Sequence, residues 1–546
     1  MTIARGAAWV ALGALPFWAF EQRWIAGVSA VGFGPLLVVL SAYTWLAVWA
    51  CAHVVRLCGA RWSVGLVALG PIVWGGVEFF RGRVAFDGYP WYLAGMPTIE
   101  SAWLSGAGAV VGVYGVGVLV AGVSASVAGL VLAQKSRRAV AIGLGAWVVL
   151  WAGLAWFGGG ELDRAMGESG ALARFGVVQT NVPQSVRGTW SPMDRLLDAA
   201  HFLDLSQRAQ ADGAQVLVWP ETMFPGEVLE AEAASAEVAA GLVWPLLTSV
   251  DSAVRTLGAK PWLLELGLLE DPESGNAMVW TGAARDVVLS GQRAIGVPML
   301  MGAEGFDGYR VESDGIGPRR AWSGRFNSVF VVDGGGVVGA RYDKMHLTPF
   351  GETMPYISRW AWLESVLLRV GVGARGMRFD LDAGDRVVRH ELELSGARWT
   401  VATPICFEAT MPHVVRRLVV DRGERASGVI VQMTNDGWFG SARGGREQHL
   451  DAVRWRAVEL GTPIVRAANT GVSAFVDARG RVVERLGAKT DGVLVAEVVA
   501  AAGPVPMAGR MGDRLGWVTL GVTVACLLLA AGRGLRAGMG QKGAAA

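Results

Sequence analysis

Three polar residues at the ends of apolar runs carry the chemistry legible in this chain. Glu221 closes Val216-Leu-Val-Trp-Pro-Glu221, Lys344 closes Ala340-Arg-Tyr-Asp-Lys344, and Cys406 follows the run from Trp399 to Ile405. A thiolate attacks a carbonyl carbon. A carboxylate takes the thiol proton and returns it to the leaving group. An ammonium, helped by the backbone N–H just after the nucleophile, stabilises the tetrahedral oxyanion. Taken singly, each residue has a plainer reading: Cys406 as a buried core cysteine, Glu221 as a cap on the next helix, Lys344 as a solvated charge. Between residues 161 and 512 Cys406 is the only cysteine, so it is not half of a disulfide within that stretch.

The elements that must position these residues follow from periodicity. Runs at 174–180, 216–219, 262–266, 401–405, 428–433 and 463–467 read as strands. Residues 328–333 and 337–341 read as a hairpin over a glycine turn, and 473–477 with 481–484 as another turning at Gly480. Residues 447–460 place Leu450, Val453, Ala457 and Leu460 on one helix face, with Gly461 as the stop. Strands interleaved with helices predict an α/β or layered α+β domain. The glycines and mixed charges of 284–322 predict an exposed insertion.

The 546 residues are 52% hydrophobic and 18% charged, with mean hydropathy +0.38 and a net charge of +2. That balance carries no nucleic-acid footprint. Uncharged stretches at 6–20, 24–53, 62–77, 101–134, 139–160 and 515–532 predict five spans before the domain and one after it, a span needing about 20 apolar residues. Cys51, Cys58 and Cys526 lie in or beside these stretches. The division expected is a transmembrane region at 1–160, a catalytic domain at 161–512 and a C-terminal span and tail at 513–546. Arg5, Arg56, Arg61, Lys135, Arg137, Arg138, Arg533 and Arg536 all fall on one side of such a chain. The excess of cytoplasmic Lys and Arg then puts both termini in the cytoplasm and the domain on the opposite side, which for the inner membrane of a Gram-negative bacterium is the periplasm.

The blocks Trp219-Pro-Glu221, Tyr342-Asp-Lys344, Pro349-Phe-Gly-Glu352, Ile405-Cys-Phe-Glu408, Thr434-Asn-Asp-Gly-Trp-Phe-Gly440 and Ala468-Asn-Thr-Gly471 resemble those of the nitrilase superfamily. More narrowly, the chain resembles its membrane branch, the apolipoprotein N-acyltransferases; Glu78-Phe-Phe-Arg-Gly82 and Gly88-Tyr-Pro-Trp91 in the membrane region agree. The resemblance implies an α-helical transmembrane bundle plus an α/β nitrilase-like αββα sandwich. It implies Glu221 as general base, Lys344 as oxyanion stabiliser and Cys406 as nucleophile. Trp190, Glu352, Phe407 and Glu408 fall at substrate-side positions. The implied reaction is ping-pong. Cys406 takes an acyl chain from a phospholipid, phosphatidylethanolamine being the typical donor. The thioester passes it to the N-terminal amine of a diacylglyceryl-cysteine apolipoprotein. A monomer without a cofactor is expected.

Two departures stand out. Phe407 replaces the tyrosine usual after the nucleophile, and the family has seven spans before the domain where five are counted here, which would put the missing pair before Met1. Two rivals follow: a membrane-anchored amidase acting on small amides, and a non-catalytic lipoprotein-binding paralogue. The stretch 356–368, with Trp360 and Trp362, reads either as an arm dipping into the membrane interface or as a core helix. His346 and His449 are isolated and read as structural. No metal motif and no phosphate-binding glycine loop is found, so neither metal nor nucleotide is expected.

Overall fold

The computed structural model describes residues 2–132, 136–167, 170–183, 190–313, 317–357, 359–369 and 381–543. Lys135, Ser358 and the residues 184–189 that lead to Trp190 lie outside them. Among the described residues six helices are long and apolar enough to cross a membrane. We label five of these α1 (Ile3–Glu21), α2 (Ala30–Arg56), α3 (Trp62–Phe79), α4 (Gly108–Leu132) and α5 (Arg137–Met166). The sixth, Arg514–Gly543, follows the β-rich domain, so five such helices precede the domain and one follows it. Their apolar stretches leave large side chains such as Trp9, Trp156 and Leu528 exposed, as a lipid-facing helix requires.

Between α5 and the last span lie two six-stranded sheets. The strands of the first are β1 (Leu172–Gln179), β2 (Val216–Val218), β3 (Met299–Asp307), β4 (Gly324–Asp333), β5 (Gly336–Asp343) and a late strand, Gly492–Val499, antiparallel to β1. Those of the second are β6 (His390–Leu394), β7 (Ala397–Ala402), β8 (Val429–Thr434), β9 (Ile464–Ala468), β10 (Ser473–Val476) and β11 (Val482–Leu486). Each sheet has a parallel centre, β1-β2-β3 in one and β7-β8-β9 in the other, flanked by antiparallel strands. The sheets pack face to face through Phe175, Val218, Val401 and Val429, with Phe175 and Trp399 in edge contact at 5.5 Å. Helices Pro192–Ala211 and Ala283–Ile295 cover the outer face of the first sheet. Pro412–Val419 and Arg443–Leu460 cover the second. The domain is an αββα sandwich fused to the membrane helices.

Two expectations need correction. Residues 284–322 are no exposed insertion: they supply the amphipathic helix Ala283–Ile295 and the central strand β3, and only the hairpin Arg310–Ser313/Pro318–Ala321 stands out from the sheet. Two of the glycines that looked like loop punctuation are close-packing sites, whereas Gly296 is the left-handed cap that ends the helix. A Cβ on Gly291 would sit 2.5 Å from Leu203, and one on Gly302 2.5 Å from the Pro220 carbonyl oxygen. Nor do residues 262–266 form a strand: Pro261 opens a single 3₁₀ turn, and Trp262 donates its indole N–H to Asp204 at 2.9 Å.

The helix Arg443–Leu460 also fastens the domain to the membrane region. Trp455 donates to the Met96 carbonyl at 3.1 Å and packs with Phe79, Ile99 and Val113. Within α4 the backbone breaks at Gly112 (φ +67°), and Glu459 accepts the N–H of Val113 at 2.8 Å. A carboxylate from the domain thereby satisfies a donor that the broken helix leaves free.

Candidate active site

The parallel centres of the two sheets bring distant residues together, because chain segments leaving parallel strands emerge at the same edge. Glu221 leaves β2, Cys406 leaves β7 and Asp436 leaves β8. Glu221 accepts from the Asn327 side chain at 2.8 Å and from the Asn435 backbone N–H at 2.8 Å, so both of its oxygens are fixed. Lys344, fully buried, lies 3.6 Å from Glu221 and 2.7 Å from Glu352. Glu352 is in turn held by the Thr348 N–H at 2.8 Å.

The charges fit this geometry. Burial opposes the Lys344 charge, but Glu352 and Glu221 more than offset it and hold the ammonium above its ordinary range. Burial raises the Glu221 carboxyl, and Lys344 only partly restores it. Glu352, buried as well, stays below the usual carboxylate range because Lys344 bonds to it directly. The Cys406 thiol is pushed well up, first by burial and then by Glu221, against Lys344 and a hydrogen bond with Thr434. A thiol so placed rests neutral and needs a base; a raised carboxyl nearby is matched to it.

Cys406 opens a 3₁₀ turn, Cys406–Thr410, with φ +50°. Left-handed backbone at a non-glycine residue costs about 1–3 kcal/mol and persists only where the surroundings over-determine it. Thr222 (φ +49°) and Phe350 (φ +59°), beside Glu221 and Glu352, share that strain. Glu408 ties the turn down. It accepts from Ile405 N–H (2.8 Å), Met345 N–H (2.7 Å), His346 N–H (3.0 Å) and the Tyr342 hydroxyl (2.9 Å). It is fully buried and does not line the cavity described below, so it joins the Lys344 segment to the Cys406 turn.

In front of the thiol lies a cavity of about 280 Å³. Cys406, Phe407, Phe439 and His449 form its domain side, and Trp24, Pro35, Leu36 and Tyr43, from α2 and the segment before it, its membrane side. Phe407 packs with Trp24, Trp91, Met411 and Phe439, and stacks on His346 with centroids 5.9 Å apart. Trp190 does not line this cavity; it packs against the core beneath the first sheet's outer helices. The arm helix Ala361–Arg369 leaves Trp360 and Trp362 exposed, which the core-helix reading did not expect.

Sequence reasoning missed the polar layer behind Cys406. The Cys406 carbonyl accepts from Gln432 and from His449 Nε2, each at 3.3 Å. His449 Nδ1 lies 2.9 Å from Asp436, which Arg466 binds at 2.7 Å. Burial opposes the Asp436 charge, yet Arg466 and His449 hold its carboxyl far below the usual range. Gly471 leaves room for this pair, since a Cβ there would meet Asp436 Oδ2 at 2.0 Å. Asp436 and Gly471 lie inside quoted motif blocks, and that was the available signal. His449, alone in its helix sequence, gave none.

Residues 2–126 match the apolipoprotein N-acyltransferase N-terminal domain, and residues 308–506 match the carbon-nitrogen hydrolase family. The first match spans α1 to α4 and the second holds Lys344, Cys406 and the polar layer. The chain belongs to the apolipoprotein N-acyltransferase family. An apolipoprotein N-acyltransferase from Bradyrhizobium diazoefficiens is 31% identical over 78% of this chain and 66% of its own length. One from Rhodopseudomonas palustris is 29% identical over 78% and 67%, and one from Allorhizobium ampelinum 27% over 91% and 78%. The chain thus spans about two thirds of the length of the first two relatives. A solved amidase of the nitrilase superfamily from Nesterenkonia covers 64% of this chain and 97% of itself, at 17% identity and a TM-score of 0.37. Family membership places the chain among carbon-nitrogen hydrolase and acyltransferase enzymes carried on membrane helices.

Proposed function

We propose that this protein moves an acyl chain from a phospholipid, through a thioester on Cys406, to the N-terminal amine of a diacylated apolipoprotein. The carrying observation is the position of Cys406 between a buried Glu–Lys–Glu set and an apolar cavity walled by a membrane helix. A small polar amide would not need that wall; an acyl chain would.

In this reading Glu221 takes the thiol proton and the Cys406 sulfur attacks the ester carbonyl carbon. The C=O π electrons move to oxygen, where Lys344 and the Phe407 N–H meet the charge. That N–H, at the second position of a 3₁₀ turn, has no acceptor within the turn. Collapse breaks the ester C–O bond, and the leaving lysophospholipid alcohol takes the proton from Glu221. The amine then attacks the thioester, Glu221 receives its proton, and the expelled thiolate is reprotonated. Glu352 holds Lys344 in place, Phe407 lines the path of the chain, and Glu408 positions the turn. Residues 161–512 form the periplasmic catalytic unit with both termini cytoplasmic, and the exposed Trp360 and Trp362 rest in the membrane interface.

Incubation of the full chain with acyl-labelled phosphatidylethanolamine should label Cys406, and an N-terminal diacylglyceryl-cysteine peptide should discharge the label. Hydrolysis of small amides without lipid labelling would establish the amidase instead, and neither reaction would establish a binding paralogue.

A further inference from the structure

The peptide unit between Cys406 and Phe407 has two ends. Its N–H end is the donor assigned above to the oxyanion; its C=O end is held by Gln432 and His449. A peptide is planar, and in the trans form its C=O and N–H point in opposite directions. Whatever fixes the carbonyl therefore aims the N–H. We propose that His449, set by Asp436, and Gln432, set by Arg466, are the positioning residues that aim the Phe407 N–H at the oxyanion. This rests on the catalytic reading just given and deepens it.

Each link is specified by chemistry. A carbonyl only accepts, so His449 Nε2 carries a hydrogen; Nδ1 faces the Asp436 carboxylate at 2.9 Å, with Arg466 also 3.3 Å away. Gln432 turns its amide nitrogen to the Cys406 carbonyl because its oxygen is taken by Arg466, which also donates to the Val472 carbonyl at 3.0 Å. Gln432, Asp436, His449 and Arg466 are all at most 2% exposed. Burying four polar residues behind one peptide is costly unless every bond is made. The left-handed Cys406 backbone would otherwise relax and swing the plane. Donors at the carbonyl also polarise the peptide and strengthen its N–H as a donor.

The test separates aiming from general damage. Alkylation of Cys406 by iodoacetamide, followed on the Cys406 peptide by mass spectrometry, forms no oxyanion. Acylation by p-nitrophenyl butyrate does, and needs no phospholipid. His449→Gln keeps a donor where Nε2 stood, whereas His449→Asn keeps one only where Nδ1 stood. Expected are acylation rates about 10- to 100-fold lower for Asn and within about 3-fold of wild type for Gln, with alkylation unchanged in both. Equal loss in Gln and Asn, or parallel loss of alkylation and acylation, would overturn the proposal, as would no loss at all. If the His449 variants do not fold, Gln432→Met decides: a loss confined to acylation supports it and a loss shared with alkylation refutes it. Butyrylation without any phosphatidylethanolamine labelling would sink the donor assignment while leaving the aiming device intact.

Discussion

Behind Cys406 stand Gln432, Asp436, His449 and Arg466, every one buried and bonded; in front stand Trp24, Leu36, Phe407 and Phe439, which offer no charge at all. The rear wall is assembled entirely from the second sheet and its helix, so its geometry is fixed by strand register. The front wall is shared with α2, so its shape depends on how the domain sits on the membrane helices. On the proposed reading, reactivity and chain selection therefore draw on largely separate parts, with His449 at the edge of both, and each can be damaged alone.

The largest expected effect is on the reacting groups. Cys406→Ala and Cys406→Ser should reduce acyl transfer to background, because a hydroxyl lacks the thiol's accessible pKa. Glu221→Gln and Lys344→Met should each slow acyl-enzyme formation at least about 100-fold in single-turnover assays. Near-normal rates in these variants would remove the charged set from the mechanism. Filling the front wall should act differently: Leu36→Trp should slow acylation by long-chain phospholipid about 10-fold. Its butyrylation should change less than about 2-fold, and equal losses with both donors would erase the division between the walls.

Glu408 supplies a test of the turn itself. Burial pushes its carboxyl up to about 7 from an ordinary 4.5, even though the donors aimed at it oppose the shift. A raised folded-state value means that its contribution to stability is fully present below about 4.5 and is lost as pH rises through about 7. The denaturation midpoint of wild type should therefore fall relative to that of Glu408→Gln between pH 5 and 8. A difference that is flat across that range would contradict the burial effect. The smallest expected effect is that of Phe407→Tyr, a single added hydroxyl on the front wall. It should change aminolysis of the thioester about 2- to 13-fold and acylation less, the scale of one hydrogen bond.

What could be read in the sequence were elements whose signal is local. Uncharged runs announced the spans, and the β-branched runs before Glu221 and Cys406 announced their strands. The site residues were legible only through motif blocks, because their contacts are remote: the Asn435 N–H that fixes Glu221 is 214 residues away in the chain. Glycine misled in both senses. Gly461 and Gly480 mark a helix end and a turn with positive φ, whereas Gly291 and Gly302 sit inside packed elements, and composition cannot tell these cases apart. His449 read only as a structural residue because its meaning lies in a carbonyl 43 residues upstream.

The bond from Glu459 to the break at Gly112 carries a practical consequence. Helix Arg443–Leu460 has His449 near one end and Glu459 near the other, so one rigid rod touches both the thiol's peptide and the interior of a membrane helix. A gene fragment trimmed to the two sheets would expose Trp455 and strand a carboxylate whose partner had been cut away. Expression trials should accordingly keep every span, and purification should be judged by whether the detergent preserves that rod's seat; a micelle that loosens α4 would silence the enzyme from afar, with every reacting side chain still in the tube.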